Sequence, residues 1–211
     1  YLNDGNVVVT EEENTKKKAI EVYAEVTPNP SVMKFGSSKS LTTTDVECKN
    51  IDEANATSPL AQELFHFPFV KEVFISENYV SITKFGMVEW NEIYPELRSF
   101  ILAYLQDNKT IIKELPIKES KETNTVVSEN LDEISAQIVS ILDEYIKPAV
   151  ASDGGNIAFR SYDAESKIVS VILQGACSGC PSSTITLKNG IETMLKDMLP
   201  NLINEVIAIN G

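Results

Sequence analysis

The sequence predicts an α+β chain of two small domains joined by a flexible linker, and three observations carry this. Apolar residues recur with period two in some stretches and with helical period in others. A polar run at 107–129, rich in Lys, Glu, Thr, Asn and Ser and carrying Pro116, separates two patterned halves. The second half has the order α-β-β-α-β, which implies a three-stranded sheet with helices against one face. A length of 211 residues, 43% hydrophobic, suits two small domains that form their cores without disulfides. The expected division is a polar arm at 1–18, a first domain at 19–106, a linker at 107–129 and a second domain at 130–211.

In the first domain, Ile20, Val22, Ala24 and Val26 alternate with polar or amphipathic residues, a half-buried strand. Thr27-Pro28-Asn29-Pro30 stops it, since both prolines remove ladder donors. Short strands follow over Val32 to Phe35 and Thr43 to Cys48. Ser58-Pro59-Leu60 opens a short helix with Pro59 in its first turn and Leu60 and Leu64 inward. Val70 to Ile75 and Tyr79 to Phe85 form a hairpin around Ser76-Glu77-Asn78. Trp90 to Leu105 places Ile93, Leu97, Phe100, Ile101 and Tyr104 on one helical face, with Pro95 tolerable only in its first turns.

The second domain begins with Leu131, Ile134, Ile138, Ile141, Leu142 and Tyr145, a helical stripe expected to end before Pro148. Asp153-Gly154-Gly155-Asn156 is a turn in which glycine can supply φ > 0, and Asp153 reads as a turn-former rather than a catalyst. Ile157 to Tyr162 and Lys167 to Leu173 make an antiparallel hairpin. A helix over Ser182 to Leu199 should turn Leu187, Ile191, Met194, Leu195 and Met198 inward until Pro200 stops it, and Ile203 to Ile209 closes the sheet.

Composition narrows the function. Asp and Glu outnumber Lys and Arg by 31 to 18, for a net charge of −13. The surplus holds in both halves, at 20 to 13 before residue 129 and 11 to 5 from there on. Neither half has the basic excess that phosphate neutralisation requires, so a nucleic-acid partner is disfavoured. No apolar run approaches the ~18–20 residues of a membrane helix, and no membrane partner is expected. Three cysteines, two of them paired as CxxC, do not form a secreted disulfide framework. We expect a reducing compartment, and within that choice the cytosol. The chain begins at Tyr1 rather than Met, so the lack of a targeting pattern is weak ground for this.

The chemistry concentrates in Gly175-Ala176-Cys177-Ser178-Gly179-Cys180-Pro181, between a strand and a helix. Two thiols at a helix N-terminus sit where partial positive charge favours thiolate and any anionic metal–sulfur centre. Two thiolates do not complete a four-coordinate site. Cys48 lies in the other domain and reads as a buried or incidental thiol, and His66, in Leu64-Phe65-His66-Phe67-Pro68, as an ordinary histidine. The economical completion is a second chain that contributes its own CxxC around a two-fold axis. Either zinc, making a structural dimer, or an iron–sulfur cluster suits four thiolates. A dithiol–disulfide oxidoreductase also places CxxC between strand and helix. It needs a parallel βαβ context and usually an aromatic before the first Cys, whereas here a hairpin strand and Gly175-Ala176 precede the pair.

A longer string is more specific. Pro148-Ala149-Val150, Asp153-Gly154-Gly155, Leu173 through Ser183, Thr186-Leu187-Lys188 and Gly190-Ile191-Glu192 resemble the NifU C-terminal (Nfu-type) domain over about residues 130–210. Thr27-Pro28-Asn29-Pro30 with Lys34-Phe35, Ser58-Pro59-Leu60-Ala61 with Leu64-Phe65, and Trp90-Asn91-Glu92-Ile93 resemble the Nfu N-terminal domain over about 20–106. The resemblance implies an iron–sulfur scaffold or carrier rather than an enzyme. Cys177 and Cys180 of two protomers would hold a labile [4Fe-4S] cluster in a homodimer. Upstream cluster-assembly proteins would supply it and apo iron–sulfur proteins would receive it. Gly175 and Gly179 would keep the loop free of bulk near the sulfurs, and Ser178 or Ser182 could hydrogen-bond the cluster. Asn156 departs mildly from the aspartate common at its position and touches no ligand. The first domain carries no catalytic constellation, and we expect its acidic, strand-rich surface to serve partner docking or regulation.

Overall fold

The computed structural model describes residues 19–113, 133–178 and 181–211. The polar arm at 1–18, most of the linker, Leu131, Gly179 and Cys180 lie outside the described residues. The mixed α+β class holds, with two separate sheets.

The first sheet has five antiparallel strands in the order β1-β2-β5-β4-β3: β1 Val22–Val26, β2 Val32–Ser37, β3 Val46–Cys48, β4 Val70–Ser76 and β5 Tyr79–Lys84. Strand period puts Val22, Met33, Phe35, Cys48, Val73, Ile75, Val80 and Ile82 on one face. That face is closed by α1 Ile51–Thr57, α2 Pro59–Leu64 and α3 Trp90–Gln106, which contribute Ala54, Leu60, Leu64, Leu97 and Ile101. Helix α1 was not anticipated. Its signal is Asn50 with Glu53: Asn50 Oδ1 accepts from Glu53 N at 2.9 Å, and Glu53 Oε2 accepts from Lys49 N at 2.8 Å. This reciprocal N-terminal cap is legible as Asn-x-x-Glu.

In the second domain, β6 Gly155–Asp163 and β7 Ile168–Gly175 pair antiparallel, and β7 pairs parallel with β8 Glu205–Asn210. Helix α6 Pro181–Met198 provides the crossover that a parallel pair needs. The core gathers Ile157, Val169, Val171, Leu173 and Val206 from the sheet with Ile138, Leu142, Val150, Ile191 and Leu195 from the helices.

Two helical expectations change. The first helix does not end before Pro148. Helix α4 Glu133–Ile141 opens into a π-helical turn, Leu142–Ile146, and continues as α5 Lys147–Ser152 with Pro148 in its first turn. A proline ring collides with the carbonyl four residues earlier in a regular helix, and a widened turn relieves that collision. The wider turn also rotates the stripe: Tyr145 is 47% exposed, while Ile146 faces the core in its place. Met198, at the end of α6, is likewise exposed, and Leu199 is buried instead.

The two domains touch. The face of the five-stranded sheet opposite its helices carries Lys34, Glu47, Phe74, Tyr79 and Ser81, and it lies against the β6 start and the β7 end of the second domain.

Candidate cluster-binding loop and its comparison with known proteins

Cys177 follows β7 directly and precedes α6, so sheet and helix both position it. Its backbone is fixed on two sides. The turn closes by Ser178 N donating to Gly175 O at 3.1 Å, and Thr184, in the first turns of α6, donates from Oγ1 to Cys177 O at 3.4 Å. Ala176 N donates to Gly154 O at 3.1 Å, which ties the loop to the turn before β6.

Gly154 and Gly175 both take left-handed backbone, at φ 79° and 62°. Each is also a close approach. A Cβ at Gly154 would stand 2.9 Å from Ser81 Oγ, and one at Gly175 would stand 2.8 Å from the Phe74 ring. Gly175 therefore makes room for the other domain, not for the sulfurs as the sequence suggested. The glycine beside the thiol is Gly155, where a Cβ would overlap Cys177 Sγ.

The Cys177 side chain is 8% exposed and belongs to the second domain's core. Burial, with the Asp153 charge adding to it, pushes the thiol up to about 11. Desolvation thus opposes the thiolate expected of a helix N-terminus. Bound metal requires thiolate, so this arrangement has Cys177 stored rather than presented.

The remaining candidates separate as their sequence contexts suggest. Cys48 is fully buried on the helix side of the first sheet, with Sγ 3.4 Å from Thr57 Oγ1. Burial raises its thiol too, against the lowering effect of Thr57. His66 is exposed, with Nδ1 3.5 Å from Glu63. Among the described residues no three metal-ligating side chains gather. Asp153 caps α5, its N–H donating to Ala149 O at 3.2 Å, which fits the turn-former expected. Cys180 and Gly179 lie outside the described residues, and so does the side chain of Ser182.

The loop does sit in a parallel β7-α6-β8 unit, the context whose supposed absence counted against dithiol chemistry. The hairpin hid it, since β7 has an antiparallel neighbour on one side and a parallel one on the other. The burial of Cys177 opposes dithiol chemistry and metal ligation alike in this arrangement, since both need an accessible thiolate.

The sequence also gave no role to Glu47, Phe74, Tyr79 and Ser81, which flank this loop. A signal was present: Val73-Phe74-Ile75 and Tyr79 to Ile82 are apolar or small on consecutive positions, the pattern of strands covered on both faces.

Comparison with known proteins agrees with the resemblance. Residues 22–108 match the family described as scaffold protein Nfu/NifU N terminal, and residues 138–207 match the NifU-like domain. A NifU-like protein of Schizosaccharomyces pombe is 32% identical over 98% of this chain and 79% of its own length. NifU-like protein 4, mitochondrial, of Arabidopsis thaliana is 34% identical over 85% of this chain and 63% of its own. The human protein named NFU1 iron-sulfur cluster scaffold homolog, mitochondrial, is 34% identical over 86% of this chain and 69% of its own. The chain thus spans between about two thirds and four fifths of these relatives. The cytosolic placement is overturned by the mitochondrial names of the Arabidopsis and human relatives. It rested on charge and reduced cysteines, and neither property distinguishes one reducing compartment from another.

Proposed function

Because the chain belongs to the Nfu/NifU-like family of iron–sulfur cluster scaffolds, we propose that it carries a [4Fe-4S] cluster on Cys177 and Cys180 of two protomers and delivers it to apo-proteins. One observation carries the reading: each chain offers a single thiol pair at a strand-to-helix loop, and among the described residues nothing nearby completes the site. Two protomers supply four thiolates. A cluster with four thiolates is a dianion, and the two α6 N-termini would face it with free N–H groups and favourable dipoles.

The work is carriage, not catalysis. In delivery, each recipient thiol loses its proton as it binds iron, and the departing Cys177 or Cys180 thiolate takes one up. Iron–thiolate bonds made and broken balance, and no electron moves. Anaerobic reconstitution should give about half a cluster per chain, in a dimer by solution mass. Cys177→Ala or Cys180→Ala should abolish it. A cluster held wholly within a monomer sinks the reading, and tightly held zinc in colourless protein replaces it with a structural dimer. The parallel β7-α6-β8 unit keeps a dithiol oxidoreductase as the second reading. Its signature is turnover on a protein disulfide through a reversible Cys177–Cys180 bond.

A further inference from the structure

We propose that the outer face of the five-stranded sheet is a cap over the niche that holds Cys177, and that cluster loading requires this cap to leave. The inference rests on the carrier reading for what is loaded, but the cap is argued from the geometry alone.

The contacts converge on a few backbone groups on either side of Cys177. Tyr79 OH donates to Gly155 O at 2.7 Å, and Ser81 Oγ to Gly154 O at 2.6 Å. Asn29 Nδ2 donates to Ala176 O at 3.2 Å, and Gly175 N donates to Glu47 Oε1 at 2.9 Å. Asn156 Nδ2 donates to Asp45 Oδ2 at 2.8 Å. In these five bonds every second-domain partner lies at 154–156 or 175–176, the two strands of chain that flank the thiol. Gly155 lies against Cys177 Sγ, so the bond that holds its carbonyl also holds the wall of the thiol's niche.

The sheet face is made for this contact. Strand period sends Glu47, Phe74, Tyr79 and Ser81 to the side opposite the helical core, and Phe74, Tyr79 and Ser81 are buried there by the second domain. Phe74 and Tyr79 pack together with centroids 6.0 Å apart, and the Phe74 ring takes the space a side chain would fill at Gly175. Lys34 Nζ reaches Ser152 O at 3.3 Å, at the C-terminus of α5, where a cation is favoured.

The face is also made to come off. Apart from Phe74 and the Tyr79 ring, its contacts are hydroxyls, amides and carboxylates, which water can satisfy after release. Interfaces of that composition are typical of domains that separate. Loading requires the wall of the niche to move, because Cys177 is only 8% exposed with the face docked and the Tyr79 hydroxyl holds Gly155, the residue that lies against its sulfur.

The test uses the full chain and the double variant Tyr79→Phe with Ser81→Ala, which removes two donors to 154 and 155 and leaves the cysteines untouched. Backbone amide exchange across β2, β5 and β4 verifies that the variant's sheet is intact. In metal-free protein, iodoacetamide should modify Cys177 about tenfold faster than in the parent, Cys180 being distinguished by peptide fragmentation. Anaerobic cluster uptake should quicken in step, with final cluster per chain unchanged. An intact variant alkylated at the parental rate overturns the cap, and so does faster alkylation in a variant that takes up cluster, but only at the parental rate. If parent and variant both alkylate as expected but neither takes up cluster, the carrier reading falls and the cap stands.

Discussion

The two domains solve the same packing problem to different ends. The first closes a helix-covered core of large apolar side chains, with Phe35, Leu60, Leu64, Ile75, Ile82, Leu97 and Ile101 essentially inaccessible. Its one cysteine, Cys48, is sealed in that core beside Thr57. The second domain builds a smaller core and includes in it a thiol that the proposed function needs outside. Under the proposed function Cys48 can stay where it is, whereas Cys177 has to come out. On that reading the first domain is a stable part whose spare face covers the second, and the second is the part that rearranges.

Core truncations should break this comparison most visibly. Leu97 and Leu195 are both fully buried, one in each core. Each change to Ala should cost about 2–5 kcal/mol in denaturant unfolding. Their consequences for the cargo should part: Leu195→Ala empties part of the core that seats α6 and should lose cluster after anaerobic reconstitution, while Leu97→Ala should keep it. Equal loss in both variants would mean that the two domains do not divide the labour in this way.

A smaller effect is expected from Gly155→Ala, which acts on the niche itself. The added methyl overlaps Cys177 Sγ, so either the loop moves or the strand does. The cost should be about 1–3 kcal/mol, as for other overpacked sites. Because Gly155 is held by its pairing with Gly175 in the sheet, we expect the Cys177 side chain to be displaced. Faster alkylation of Cys177, with Cys48 still protected, would report it.

How far the sequence reached follows the same division. Elements whose signal is local were legible: the alternating strands, the Pro59 helix start, the hairpins and the long helices. So was the loop that carries Cys177, because Gly, Cys and Pro there have positional meanings that need no neighbours. Features that arise between distant elements were hidden. The π-helical turn trades one local cost against another around Pro148, and no periodicity announces it. The parallel partner of β7 lies beyond an entire helix in sequence. Gly154 and Gly175 were readable as turn glycines, but their close approach to Ser81 and Phe74 depends on residues about 70 to 100 positions away. The burial of Cys177 depends on all of these at once.

Two glutamates sharpen the comparison through pH. Glu192, on α6, bonds Lys196 Nζ at 2.6 Å and accepts from Val206 N at 3.0 Å, which ties the helix to β8. Lys196 first, and then the Val206 N–H, hold its carboxyl below the ordinary 4.5. A lowered folded pKa means stability that is present above the unfolded value and lost as pH falls through the folded one. Glu192→Ala should cost about 1 kcal/mol at neutral pH, a figure already reduced for solvent screening, and less in acid. Urea unfolding at the two pH values measures the difference.

Glu47 should have the opposite slope. It stands on β3 facing the second domain, and burial raises its carboxyl above 4.5, with Glu72 and Glu53 adding to the rise. The Gly175 N–H and Lys49 oppose the rise without cancelling it. A raised pKa in the docked state means that the docked domains bind the proton more tightly than separated ones. The contribution is full below about 4.5 and is lost as pH rises through the docked value. Docking, read as exchange protection of the Gly175 amide, should therefore weaken with rising pH over that range in the parent protein. Glu47→Gln keeps an acceptor for Gly175 and removes the charge, so its protection should stay level where the parent's declines and exceed it at neutral pH. This would be the subtlest of these changes, since only one charge at the interface is altered. It is also specific to the sheet face: the same substitution at Glu192 should lower stability at neutral pH. Matching slopes for the parent and Glu47→Gln would show that docking does not raise the Glu47 carboxyl, with the sheet face away from the loop.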